Sequence, residues 1–125
     1  MRDRTLWTWH IGAGLVILVL LGLHMVIMHL NATLGFFGAE GAEPTEWASV
    51  AARAGSLFFT LTYVLLLGAA LYHGFYGFRN ILLELNPGRA LRQVINVGLT
   101  LVGVALFVFG TWAALAAPGA ATIGG

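Results

Sequence analysis

The sequence predicts an all-α integral membrane protein that crosses the bilayer three times. Three runs without charged residues lie between Arg4 and Glu40, between Arg53 and Arg79, and after Arg92. Each run exceeds the ~20 apolar residues that a helix needs to cross ~30 Å of hydrocarbon. Charged residues make up 9% of the chain, against about 25% in soluble domains. The 17 glycines suit membrane helices that pack closely.

Three spans are expected, over about residues 7–31, 54–79 and 93–117. We interpret the first span as a retained helix and not a signal peptide, because it is too long and no small-residue cleavage site follows it. The connection over residues 32–52 is expected to be a loop that carries three glutamates. The turn dipeptide Pro87-Gly88 marks the second connection, and Pro118-Gly119 is expected to end the third span.

Composition excludes several classes of function. With no cysteine, the chain has no disulfide, no thiolate metal site and no iron–sulfur ligand set. Its net charge of +1 indicates no polyanionic partner, and the sequence carries no nucleic-acid-binding signal. The lipid bilayer is the environment that this composition predicts.

Basic residues predict the orientation in the membrane. Arg2 and Arg4 precede the first span, and Arg79, Arg89 and Arg92 occupy the connection between the second and third spans. In a three-span protein these two regions lie on the same side. The chain is expected in the cell (inner) membrane. The positive-inside rule predicts that its N-terminus lies in the cytoplasm and its C-terminus on the outer side.

Four histidines lie in or near the spans, namely His10, His24, His29 and His73. A polar side chain inside a membrane is costly, so each imidazole needs a partner. A neutral imidazole can bond a helix carbonyl or a hydroxyl, and we favour this interpretation for His10 and His29, near the ends of span one. His24 and His73 lie deeper, and for these two we favour axial ligation of haem iron.

Depth determines whether the two deeper histidines could share one iron. His24 lies about 25 Å from the cytoplasmic end of span one, and His73 lies about 9 Å from that end of span two. The difference of about 15 Å is too large for two ligands of a single haem. Two haems are therefore expected, each with a second imidazole from a partner chain. Gly77, one turn after His73, would leave room for the edge of a macrocycle, although plain helix packing explains such a glycine equally well.

His10 and His29 are predicted not to ligate iron. His10 lies 14 residues before His24, nearly four turns, so it faces roughly the same side of the helix near the cytoplasmic end. There it could hydrogen-bond a quinone headgroup or a haem propionate. His29 faces another side of the helix.

The segment from Tyr72 to Asn80, which reads YHGFYGFRN, resembles the second helix of the membrane anchors of succinate dehydrogenase and fumarate reductase. In that family a haem-ligating His is followed by Gly at the fourth position, often by Arg two residues further on, and by an acid near the helix end. The matching residues here are His73, Gly77, Arg79 and Glu84.

The first span is similar to the di-haem members of the same family, with Trp7-Thr8-Trp9, Gly14 and Leu23-His24-Met25 at matching places. The resemblance covers nearly the whole chain and implies a three-helix anchor that forms half of a paired transmembrane helical bundle. It further implies two haem b groups, with His24 as a ligand of the distal iron and His73 as a ligand of the proximal iron. The implied partners are a second anchor subunit, an iron–sulfur subunit and a flavoprotein subunit, with quinone nearby.

Three positions depart from the family pattern. Ile11 stands where an Arg commonly follows the residue that starts the first span, Leu71 stands at an acidic position of some di-haem members, and Leu85 stands at the quinone-binding Tyr of single-haem members. These departures concern the quinone site and any proton route, and they leave the haem ligands intact.

We therefore interpret the chain as a non-catalytic anchor that passes electrons between a cytoplasmic iron–sulfur subunit and membrane quinone. Arg79 would contact a haem propionate or dock the iron–sulfur subunit, or it would be an ordinary snorkelling arginine. Two alternatives stay open: a haem b subunit of another quinone-linked dehydrogenase, and a haem-free scaffold whose histidines bond neighbouring helices.

Overall fold

The computed structural model describes residues 2–36 and 46–123 of the chain. These residues form four helices, α1 (Arg2–Phe36), α2 (Trp47–Ala54), α3 (Leu57–Glu84) and α4 (Arg89–Ile123). Three of them are long and apolar enough to cross a membrane, over Asp3–His29, Leu57–Glu84 and Arg89–Ala116. The prediction of an all-α membrane protein with three spans is confirmed.

α3 is the central helix. It packs against both α1 and α4, whereas α1 and α4 do not contact one another within the described residues. The short helix α2 packs against α4 and α3. As a result, part of the surface of α3 between its two long neighbours stays open.

Small residues allow α3 and α4 to approach closely. A Cβ atom added to Gly68 would lie 3.2 Å from the ring of Phe107, and one added to Gly103 would lie 3.2 Å from the ring of Phe75. Further along the pair, the side chain of Leu67 packs against Gly110. Membrane helices associate through such contacts because lipid tails are as apolar as the side chains and no hydrophobic force draws the helices together.

Most of the large apolar side chains face outward. Among the described residues no hydrophobic side chain is buried, and Trp112 and Leu18 are 63% and 70% exposed. A layer of three helices has no interior of its own, so lipid or further protein must cover these surfaces.

The second connection is a tight turn, as Pro87-Gly88 predicted. α3 ends at Glu84, and Asn86 follows in the left-handed region with φ 51°. Asn adopts that conformation more readily than most residues, and a helix commonly ends on such a residue. The carbonyl of Gly88 then accepts a hydrogen bond of 2.9 Å from the backbone N–H of Arg92 in the first turn of α4.

Element limits differ from the expected spans in three places. α1 continues to Phe36, and α2 occupies part of the connection that was expected to be a loop. α4 also continues through Pro118 to Ile123, so the expectation that Pro118-Gly119 ends the helix is wrong. Proline removes a single hydrogen bond from a helix, and the neighbouring alanines are strong helix formers. Two of the three expected loop glutamates, Glu40 and Glu43, lie outside the described residues.

Candidate functional site

Two histidines from different helices meet near one end of the bundle. The imidazole rings of His10 in α1 and His73 in α3 are stacked, with centroids 4.1 Å apart and planes 2° apart. The sequence predicts that His10 and His73 each lie near the cytoplasmic end of a span, but it does not predict their contact. The structure pairs His73 with His10, and not with His24.

Each of the two rings lies over a glycine of the opposite helix. A Cβ atom added to Gly14 would lie 3.0 Å from Cε1 of His73, and one added to Gly77 would lie 3.2 Å from Cε1 of His10. In both helices the glycine follows the histidine by four residues, so it shares the same face one turn on. Gly77, for which the edge of a macrocycle and plain helix packing explained the sequence equally well, makes room for the His10 ring in this structure.

The hydrogen bond of His73 defines its tautomer. Its Nδ1 lies 3.0 Å from the carbonyl oxygen of His10. A carbonyl can only accept, so Nδ1 carries the proton and donates it, and Nε2 holds a lone pair. Gly14 is needed for this geometry, because a side chain at that position would push the imidazole away from the carbonyl.

His24 has different surroundings. Its ring meets the ring of Tyr63 edge-on, with centroids 5.8 Å apart and planes at 83°. The Nδ1 atom of His24 and the hydroxyl of Tyr63 are both buried, and neither has a hydrogen-bond partner among the described residues. A buried polar atom without a partner is costly, and Nδ1 of His10 is another such atom among the described residues.

The register of α1 against α3 places the two histidines at different depths. His24 lies beside Tyr63, while Gly14 lies beside His73. Ten residues separate the two levels on each helix, which corresponds to about 15 Å along the bundle. This is the depth difference that the span positions predicted. The fourth histidine, His29, is exposed and lies about 140° around α1 from His24.

A polar cluster continues from the histidine pair towards the turn between α3 and α4. The hydroxyl of Tyr72 donates a hydrogen bond of 2.9 Å to the carbonyl of Leu6, and the ring of Tyr76 lies 5.2 Å from that of His10. Arg79 is half-buried, and its Nε donates a hydrogen bond of 2.6 Å to Oδ1 of Asn96. Neither the two tyrosines nor Asn96 were predicted to belong to the site. A polar residue inside an apolar span is a signal that could have identified them.

An open cavity of about 640 Å³ lies along α3 and α4 beside this cluster. Neither His24 nor His73 lines it. Within the described residues, no three His, Asp or Glu side chains are close enough to hold a metal ion. A haem does not need such a group, because the porphyrin supplies four ligands and the protein only the axial ones.

Three long apolar helices, with large apolar side chains exposed on their surfaces, make this chain a three-span α-helical membrane protein. The chain is 26% identical over 106 residues to the succinate dehydrogenase hydrophobic membrane anchor subunit of Archaeoglobus fulgidus. That similarity covers 85% of this chain and 83% of the archaeal protein. No protein-family model and no solved structure matches the chain. The similarity supports a distant relationship to succinate dehydrogenase anchors.

Proposed function

We propose that this chain is a haem b-binding membrane anchor subunit of a succinate:quinone oxidoreductase or a quinol:fumarate reductase. The observation that carries the anchor role is the similarity to the archaeal anchor subunit, which extends over most of both chains. The three spans agree with that role. The haem assignment rests on the two histidine environments.

His73 suits axial ligation of the proximal haem. A histidine that binds a metal typically donates its other N–H to a carbonyl, which fixes the tautomer and the ring orientation. The Nδ1 of His73 makes that bond to His10, at 3.0 Å. The lone pair on Nε2 is then available for iron. His10 holds the ring from one face by stacking, so it acts as a positioning residue.

His24 suits the distal haem for a different reason. It lies about 15 Å from the level of His73, and its buried Nδ1 has no hydrogen-bond partner among the described residues, so an acceptor from another subunit would have to complete its surroundings. When bound, each haem would supply a one-electron carrier within the membrane. The chain itself would supply ligands, orientation and a surrounding of low dielectric constant.

A second anchor subunit would complete both sites. Two irons with two imidazoles each need four histidines. The His10 ring lies beside that of His73, but because the two rings are stacked in parallel they could not bind one iron from opposite sides, so this chain would offer one ligand to each haem. We propose that the partner anchor supplies the other two and that the chains together form a paired bundle. An iron–sulfur subunit and a flavoprotein subunit would complete the complex, with electrons passing to or from quinone.

The catalytic subunits would dock on the cytoplasmic side. The His10 ring packs on Gly77 in the last two turns of α3, so the start of α1 lies beside the end of α3. Arg4 therefore lies at the same end of the bundle as Arg89 and Arg92, and the positive-inside rule assigns that end to the cytoplasm. The N-terminus of this chain would thus lie on the cytoplasmic face of the inner membrane.

A haem-free scaffold is the second candidate. The reciprocal packing of His10 on Gly77 and of His73 on Gly14 would by itself stabilise the contact between α1 and α3. In that case the histidines would serve only as interhelical contacts.

One experiment distinguishes the haem-binding anchor from the haem-free scaffold. The tagged full chain is purified from its membrane with whatever subunits accompany it, and a reduced-minus-oxidised spectrum is recorded. We expect a b-type band and co-purification of flavin, iron–sulfur and second anchor subunits. A complex with those subunits and no haem band would support the scaffold. A haem band with dehydrogenase subunits of another kind would overturn the succinate dehydrogenase assignment.

A further inference from the structure

Arg79 is a positive charge without a negative partner. Its Nε donates to Asn96, and its Nη1 donates to Oδ1 of Asn80 at 3.2 Å. Both acceptors are neutral amides, and no carboxylate pairs with Arg79 among the described residues. Glu84, the acid at the end of the same helix, lies about 140° around α3 from Arg79. The charge is therefore half-buried and uncompensated.

The two amides fix the direction of the guanidinium. With Nε and one N–H of Nη1 engaged, the remaining donors lie on Nη1 and Nη2. A guanidinium whose orientation is already set loses less side-chain entropy when it binds an anion, and its planar geometry matches two oxygens of a phosphate. Arg79 is thus preorganised for an oxyanion.

The open groove begins at this arginine, and most of the residues that line it are apolar. Its polar end contains Arg79, Asn96 and Tyr76, and its far end lies between Gly68 and Phe107. Beyond that level Leu67 packs on Gly110 and closes the space between α3 and α4. The cavity therefore fits an amphipathic molecule with one charged end.

The length of the groove indicates which amphipathic molecule it takes. From Arg79 to Gly68 the groove follows α3 for eleven residues, which is about 16 Å. One leaflet of a bilayer contributes about 15 Å of hydrocarbon, half of the ~30 Å core. A transmembrane helix of a partner would need a groove across both leaflets.

Additional positive charge lies at the same end. Arg92 precedes Asn96 by four residues, and Arg89 precedes Asn96 by seven, so both continue the face of α4 that lines the groove. Both side chains are exposed, where a lipid headgroup would sit. Basic pockets between membrane helices on the cytoplasmic side are typical sites for anionic lipid headgroups.

We propose that the groove between α3 and α4 binds one anionic phospholipid of the adjacent leaflet. The phosphate contacts Arg79, with Arg92 and Arg89 further out, and an acyl chain lies along the apolar part of the groove as far as Gly68. Neither His24 nor His73 lines this groove, and Arg79 would serve the lipid phosphate in place of a haem propionate.

The test is lipid retention measured by native mass spectrometry on the complete complex. The complex is washed with detergent and offered equal amounts of phosphatidylglycerol and phosphatidylcholine. We expect the wild type to retain one phosphatidylglycerol per copy of this chain. R79Q, which removes the charge and keeps some hydrogen-bonding capacity, should lower the preference for phosphatidylglycerol about tenfold, the cost of one charge-assisted bond. R53Q removes one arginine from α2 and should behave as the wild type.

A second pair of variants tests the groove itself. T100W places an indole in the groove and should abolish retention, whereas L101W places the same indole at an exposed neighbouring position and should not. Equal losses in R79Q and R53Q, or equal losses in T100W and L101W, would overturn the proposal. So would a groove that retains quinone, or one that a partner subunit fills so that no lipid is bound.

Discussion

His73 and His24 are both histidines of membrane-spanning helices, yet their rings make different contacts with the rest of the chain. The His73 ring is stacked on His10, seated over Gly14 and hydrogen-bonded through Nδ1. The His24 ring touches Tyr63 only by its edge, and its buried Nδ1 has no hydrogen-bond partner among the described residues. The chain thus preorganises His73 through contacts of its own. The described residues give the Nδ1 atom of His24 no such contact.

Replacing His73 with Ala should have the largest effect. The variant would lose the proximal haem and also the stacking and hydrogen bond between α1 and α3, so both haem content and stability should fall. We expect about half of the wild-type haem in a pyridine haemochrome assay, and a loss of stability of about 1–3 kcal/mol. H29A, at an exposed position, is the control. Full haem occupancy in H73A would contradict the ligand assignment.

Replacing His24 with Ala should remove the distal haem alone. Within the part of the chain that the structure describes, this substitution breaks no interhelical hydrogen bond, and the buried Nδ1 atom that it removes has no partner there. We expect about half of the wild-type haem with little change in apoprotein stability. Redox titration should show that the proximal haem keeps its potential. If H24A emptied both sites, the two haems would be coupled through folding, since bound cofactors stabilise the native state.

Two glycine-to-alanine variants in α1 test whether Gly14 positions the His73 ring, and their effects should be smaller. G14A would bring a methyl group to 3.0 Å from the His73 ring, whereas G12A meets no atom within 4 Å. Overpacking of this kind costs about 1–3 kcal/mol and would tilt the imidazole. We expect G14A to shift the electron paramagnetic resonance signal of the proximal haem and to lower thermal stability. Identical spectra for G14A and G12A would show that the glycine does not position the ring.

Two tyrosine-to-phenylalanine variants should give the smallest effects. Y72F removes a hydrogen bond to the carbonyl of Leu6 and should cost about 1 kcal/mol. Y63F removes a hydroxyl that has no partner among the described residues, so the change should stay below about 0.5 kcal/mol. Both values can be measured from thermal unfolding in the same detergent. A larger cost for Y63F would reveal a partner for this hydroxyl in the assembled complex.

The spans could be predicted because membrane thickness fixes the length of an apolar run, whatever its neighbours are. The contact between His10 and His73 was missed because His10 was compared only with His24 on its own helix. The shared spacing, with glycine four residues after histidine in two antiparallel spans, was a signal that could have revealed it. The bond between Arg79 and Asn96 depends on the register of α3 against α4, which the geometry of the turn at Asn86 sets.

The absence of contact between α1 and α4 within the described residues also determines the order in which the protein can assemble during synthesis. Once α1 has entered the bilayer, its only long helical partner in this chain has yet to be translated. The ribosome adds roughly 5–20 residues per second, so the 48 residues from Phe36 to Glu84 take roughly 2–10 seconds. During that interval the imidazoles of α1 have no α3 to meet. The hairpin of α1 and α3 is therefore the first unit that can fold, and α4 adds to a surface that is already formed.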